Sequence, residues 1–165
     1  VSEPKSADVA QFKAAMRRFP TGVTVVTSLR EGEPRGVTVS SFASVSLEPP
    51  MVLICINREA RSYLYISTSK IFCVNILAGD QRALAERFSG KRRENQFDGV
   101  AYDVDATGAA VLRGTVAHLD CEVVEEHLAG SHSIFIGRVL SSGYRPGSPL
   151  GYYNGDFHDF GIRID

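Results

Sequence analysis

Short runs of β-branched and aromatic residues succeed one another along most of this chain, and turn residues rather than helices separate them. VTVVTSL alternates after Gly22. GVTVSSF, SVSL and the almost wholly apolar MVLICI follow, with Pro49-Pro50 breaking the ladder because proline has no N–H to donate. KIFCVNIL, the half-apolar stretch from Val111 to Val124, HSIFIGRVL, and a hairpin turning near Asn154-Gly155 complete the series. Within Val111–Val124 the odd positions Ala117, Leu119, Cys121 and Val123 are apolar and His118, Asp120 and Glu122 lie between them, as in a half-buried strand. HSIFIGRVL reads as a strand buried on both faces. About seven strands stand against three helical patterns. Connections this short argue against a doubly wound parallel sheet and for an antiparallel barrel with peripheral helices.

The three helical patterns are local. Val9, Phe12, Met16 and Phe19 share one helix face, Asp8 caps its start with Gln11 three residues on, and Pro20-Thr21-Gly22 ends it. Ala60 to Ser69 is a short helix with Tyr63 and Ile66 or Leu64 facing in. Asp80 reads as the N-cap of QRALAERF, with Leu84 and Phe88 one turn apart.

At 165 residues the chain suits a single domain spanning 1–165. A net charge of −1 gives no global attraction to nucleic acid or to an anionic membrane. No run approaches about 18 consecutive apolar residues, so no membrane span is expected, and VSEPKSADVAQF lacks the apolar centre of a signal peptide. Cys55, Cys73 and Cys121 are odd in number and show no metal spacing, which implies reduced thiols and a cytoplasmic setting. The four histidines are not spaced as metal ligands, and no GxGxxG, Walker, GxSxG or HExxH pattern occurs.

The chemistry lies elsewhere. Between Gly36 and Pro50 a row of small hydroxyls (Thr38, Ser40, Ser41, Ser44 and Ser46) alternates loosely with apolar residues. A strand with a wet outer face carries the same residues, and so does a wall for a flat ligand with a polar rim. On the inferred fold, Arg58, Arg61 and Lys91 to Arg93 lie on nearby segments, and Ser62 sits by a helix start near Ala60, where an anion is favoured. Together these suit a flavin mononucleotide. Lys91-Arg92-Arg93 also reads as an ordinary solvated loop.

The strings FPTGVTVVT, GVTVSSFASVSLEPPMVLICINR, FCVNIL, ALAERFSG and HSIFIGRV, in that order, resemble the short-chain flavin reductases. These are the NAD(P)H-dependent reductase components of two-component flavin monooxygenases. The similarity runs from about Phe12 to Gly161. It implies a mainly β fold, the flavin-reductase-type split β-barrel of FMN-binding, Greek-key kind, as a homodimer. It places FMN, with FAD possible, along Thr38, Val39, Ser40 and Ser41, with Ser44 and Val45 close behind. Cys55, Ile56, Asn57, Arg58 and Ser62 would hold the rest of the flavin and its phosphate, and Phe88, Ser89 and Gly90 match a further flavin-side loop. The family's Gly-Asp-His motif, which helps place NADH or NADPH, is matched by Gly130, Ser131 and His132, with serine in place of the aspartate. Tyr152 matches a region bordering the pyridine nucleotide. The implied activity is hydride transfer from NAD(P)H to free flavin, which needs no side-chain nucleophile. Reduced flavin would then diffuse to a partner oxygenase. A non-catalytic flavin- or haem-binding split-barrel protein, or an oxidase of the pyridoxamine-phosphate type, would share the architecture. The block around His132 favours the reductase over both.

Overall fold

The β-branched runs become strands, and their pairings are all antiparallel, in a computed structural model that describes residues 7–89 and 94–161. In chain order the elements among these residues are α1 (Val9–Met16), β1 (Thr21–Gly22), β2 (Thr24–Arg30), β3 (Glu33–Val39), β4 (Phe42–Leu47), β5 (Pro50–Asn57), α2 (Arg61–Ser69), β6 (Ile71–Ile76), α3 (Arg82–Ser89), β7 (Tyr102–Val104), β8 (Ala110–Leu112), β9 (Ala117–Ala129), β10 (His132–Tyr144), β11 (Leu150–Tyr153) and β12 (Asp156–Asp159).

Seven strands form one sheet in the order β3-β2-β6-β9-β10-β5-β4. Its two ends, β3 and β4, are consecutive in the chain. Val37 and Val39 of β3 and Phe42 of β4 nevertheless pack on the same core as Val26, Ile54, Ile66, Phe72 and Phe135. A sheet whose opposite ends reach one core has rolled up. β3 and β4 are not hydrogen-bonded neighbours, so the roll stays open along a seam between them. This is the split β-barrel. Helix α2 crosses from β5 to β6 and sends Ile66 into the core, while Tyr63 tilts against Phe135 at 5.9 Å between ring centres. A second core of Val23, Val25, Leu77, Ala85, Phe88, Leu112 and Leu150 lies on the other side of β2. Here α3, the β7–β8 hairpin and the small β1-β11-β12 sheet pack. Two-sided packing explains why Thr24 to Ser28 are all buried.

Several local expectations hold. Asp8 Oδ1 accepts from the Gln11 N–H at 2.9 Å. Asn154 and Gly155, both at positive φ, turn the β11–β12 hairpin, as a two-residue turn of this hand requires. Others need correction. EGEP reads from the sequence as the turn after β2, but the turn is Glu31-Gly32 alone, because Glu33 and Pro34 already belong to β3. Helix α3 starts at Arg82, so Gln81 rather than Asp80 flanks it, and the Gln81 carbonyl accepts from the N–H groups of Leu84 and Ala85. Strand β10 is fully buried on one face only: Ser133, Phe135 and Gly137 are buried, whereas Ile134 and Ile136 are half-buried. The Val111–Val124 stretch is broken, with β9 beginning at Ala117. In helix α1 the apolar face is exposed at Val9, Phe12 and Met16.

Asp120 is the largest departure. Alternation assigns it to a wet face, yet it is fully buried, accepting from the Thr107 N–H at 2.7 Å and the Thr107 hydroxyl at 2.5 Å. The segment between β7 and β8 folds over it. The same segment holds Asp105, which accepts from the Ser141 hydroxyl at 2.5 Å and faces His118 Nε2 at 3.3 Å. The Ser141 hydrogen bond, with His118 behind it, holds the Asp105 carboxyl below the ordinary carboxylate range. A depressed folded pKa stabilises above the ordinary value, and that contribution is lost as pH falls through the folded one. Asp105→Asn is therefore expected to lower the melting temperature at neutral pH and to flatten its fall below about pH 4, as thermal melts over that range would show.

Candidate functional site

The hydroxyl row lies on the two strand ends that border the open seam. Thr38 and Val39 end β3, Ser40 and Ser41 make the bend, and Ser44 lies on β4, with Val45 at a register shift against β5. The hydroxyls do different things. Thr38 Oγ1 donates to the Ala85 carbonyl at 2.7 Å and so ties α3 to β3. Gly36 allows this close approach, because a Cβ there would stand 2.7 Å from the Phe88 ring. Ser41 is bonded twice to β5: its hydroxyl donates to the Cys55 carbonyl at 3.0 Å, and its carbonyl accepts from the Cys55 N–H at 3.2 Å. Ser40 and Ser44 are exposed.

Beside Ser40 a cleft of about 350 Å³ opens, lined by Phe19, Pro20, Thr21, Gly22, Thr24, Phe42 and Ile76. Phe19, Phe42 and Ile76 give it apolar walls, and Ser40, Thr21 and main-chain groups give it polar edges. Thr21 Oγ1 is shielded from water and has no hydrogen-bond partner. A flat ring with carbonyl and N–H groups on its rim fits this set of walls and donors. The residues Phe19 to Gly22 were not singled out as site residues from the sequence. Their signal was the FPTG string that precedes the first long strand.

The same end of the barrel gathers the other expected positions. Asn57, the last residue of β5, is the register partner of His132, the first of β10. Arg58 follows, and Ser62 is buried in the first turn of α2. The N-cap of that helix, Ala60, has no side chain able to cap it, so the first N–H groups of α2 face an anion-favouring position. His132 is exposed, and its Nδ1 lies 2.9 Å from the Ser131 hydroxyl. The serine thus orients the ring where the family pattern has a carboxylate, and it does so without charge. Tyr152 is the register partner of the cleft residue Thr21 and packs edge-on against Phe157.

Two expected contacts are core side chains. Ile56 and Phe88 are 1% exposed, so only their main chain is available to a ligand. Ser89 is exposed, with its hydroxyl on the Glu86 carbonyl. Gly90 and the basic run Lys91, Arg92 and Arg93 lie outside the described residues. Burial pushes the Cys55 thiol up, partly offset by Ser41, and burial together with Asp120 pushes Cys121 up to about 12. Cys73 is raised further by the same causes. These thiols stay protonated at neutral pH and supply no nucleophile.

Comparison with known proteins gives a consistent picture. The flavin reductase like domain family matches residues 16–161. The reductase subunit HsaB of a flavin-dependent monooxygenase from Rhodococcus jostii is 39% identical over 93% of this chain and 78% of its own length. The NADH-dependent FMN reductase SmoA of Agrobacterium fabrum is 37% identical over 95% of this chain and 89% of its own length. Among solved structures, the NADH:FAD oxidoreductase SgcE6 of Streptomyces globisporus, in complex with NAD and FAD fragments, superposes with a TM-score of 0.90. It is 36% identical, with 96% of each chain covered.

Proposed function

Because the chain belongs to the flavin reductase like family, we propose that it is an NAD(P)H:flavin oxidoreductase that reduces free flavin for a partner oxygenase. FMN is the preferred flavin and FAD an alternative. Hydride donation and acceptance are the chemistry of the nicotinamide and the flavin when bound. The chain's own residues bind and align. Phe19, Phe42 and Ile76 pack on a ring face, and Ser40, Thr21 and the Thr38–Ser41 main chain pair its polar rim. Asn57, Ser62 and the start of α2 lie toward the phosphate. His132 and Tyr152 border the nicotinamide side. A near-attack separation of roughly 3–3.5 Å between the two rings is what this alignment has to secure. The observation that carries the reading is the cleft itself: apolar walls meet the hydroxyl row at the seam of the barrel, one strand pair away from His132.

A homodimer is part of the proposal. Met51, Leu53 and Cys55 of β5 share the outer sheet face with Ile134 and Ile136 of β10, and all five are half-buried. Central strands that are apolar on both faces call for a second covering layer. Among the described residues no helix is long and apolar enough to cross a membrane.

The test is to add FMN, FAD or riboflavin to the purified protein and follow NADH and NADPH at about 340 nm. Flavin-dependent oxidation over many turnovers is the expected result. Tight flavin retention without turnover would replace the reductase with a flavin-binding protein.

A further inference from the structure

Arg58 is engaged in a way that its expected phosphate role does not explain. Strands β9 and β10 are joined by a two-residue turn, with Ala129 and His132 as the closing pair and Gly130, at φ 58°, and Ser131 between them. Both carbonyls of that turn are taken by one residue. The Arg58 N–H donates to the Ser131 carbonyl at 3.0 Å, and its Nη2 donates to the Gly130 carbonyl at 2.6 Å. Ser131 in turn holds His132 Nδ1 at 2.9 Å. The main-chain bond extends the β5–β10 ladder by one step beyond the Asn57–His132 pair. The guanidinium bond adds a charged donor from the side, and such bonds are the shorter and stronger kind.

We propose that Arg58 is a positioning residue for the nicotinamide side of the site: it clamps the Gly130-Ser131 turn and thereby fixes the direction in which His132 presents its ring. The proposal rests on the reductase reading given above. An exposed two-residue turn held only by its closing pair rocks about the hairpin axis, and small displacements of an aligning group are costly to alignment. Arg58 removes that freedom from the strand that also leads into α2, so the flavin side and the nicotinamide side are fixed to each other.

The test compares wild type with Arg58→Ala and Arg58→Gln, each checked for an unchanged melting temperature. NADH is varied at saturating FMN and again at saturating riboflavin, which has no phosphate. The KM for NADH is expected to rise about tenfold with either flavin, while the ratio of the KM values for FMN and riboflavin stays at its wild-type value. In a His132→Ala background the Arg58 substitution is expected to add little further, since the two residues act as one unit. A rise in the KM for FMN alone, with NADH and riboflavin unaffected, would overturn the proposal and make Arg58 a phosphate contact only. Ring nitrogen NMR signals of His132 in the ligand-free protein give a readout that needs no activity. They are expected to shift in Arg58→Ala, and unchanged signals would also overturn the clamp. Absence of turnover in the wild type would instead sink the reductase reading, leaving the ring signals to decide the clamp.

Discussion

Ser40→Trp is expected to lower kcat/KM for flavin by about a hundredfold or more, with a melting temperature within a few degrees of wild type. Ser40 is exposed in the bend between β3 and β4, so no core contact is lost. It also lines a cleft of about 350 Å³, and an indole placed there takes the space and the apolar walls that a flavin ring would use. The effect should appear in direct flavin titration as well as in turnover, since the substitution blocks binding. A variant that turned over normally would mean that the ring lies elsewhere on the seam.

Asn75→Leu is expected to destabilise the protein by about 3–5 kcal/mol in chemical denaturation. Asn75 is fully buried in β6, and both ends of its amide are used. Its Oδ1 accepts from the Leu112 N–H at 2.8 Å, and its Nδ2 donates to the carbonyls of Val25 at 3.1 Å and Ala110 at 3.2 Å. Leucine has a similar size but leaves the Leu112 N–H without this acceptor and removes a donor from each carbonyl, with only Thr27 Oγ1 still donating to that of Ala110, at 2.6 Å. The loss falls on β8 and the second core, against which α3 packs. The flavin KM of the protein that remains folded should therefore change less than its stability does. A loss below about 1 kcal/mol would mean that water replaces the amide.

Much of the fold was readable because it rests on local chemistry. The alternation of VTVVTSL, the turn residues Asn154-Gly155 and the Asp8 cap each decide their own few residues. The hydroxyl row stands out in the sequence, but a wet strand face carries the same residues, and in the structure Thr38 and Ser41 direct their hydroxyls to the carbonyls of Ala85 and Cys55. What escaped depends on distant chain segments. Asp120 reads as a surface residue until Thr107, thirteen positions away, is folded over it. Arg58 reads as a free cation until the turn at Gly130, 72 positions later, is brought to its side by the β5–β10 pairing. The walls of the cleft come from the exit of α1, the β3–β4 bend and the end of β6. No pattern within any one of them announces the others. Phe88 shows the converse: the resemblance assigns it to a flavin-side loop, whereas it lies in α3 and its ring belongs to the second core.

The most direct measurement is a crystal structure of the protein with FMN bound. The account predicts the ring in the cleft bounded by Phe19, Thr21, Ser40 and Phe42, with its phosphate toward Ser62 and the start of α2. A ring bound away from the β3–β4 seam would contradict it.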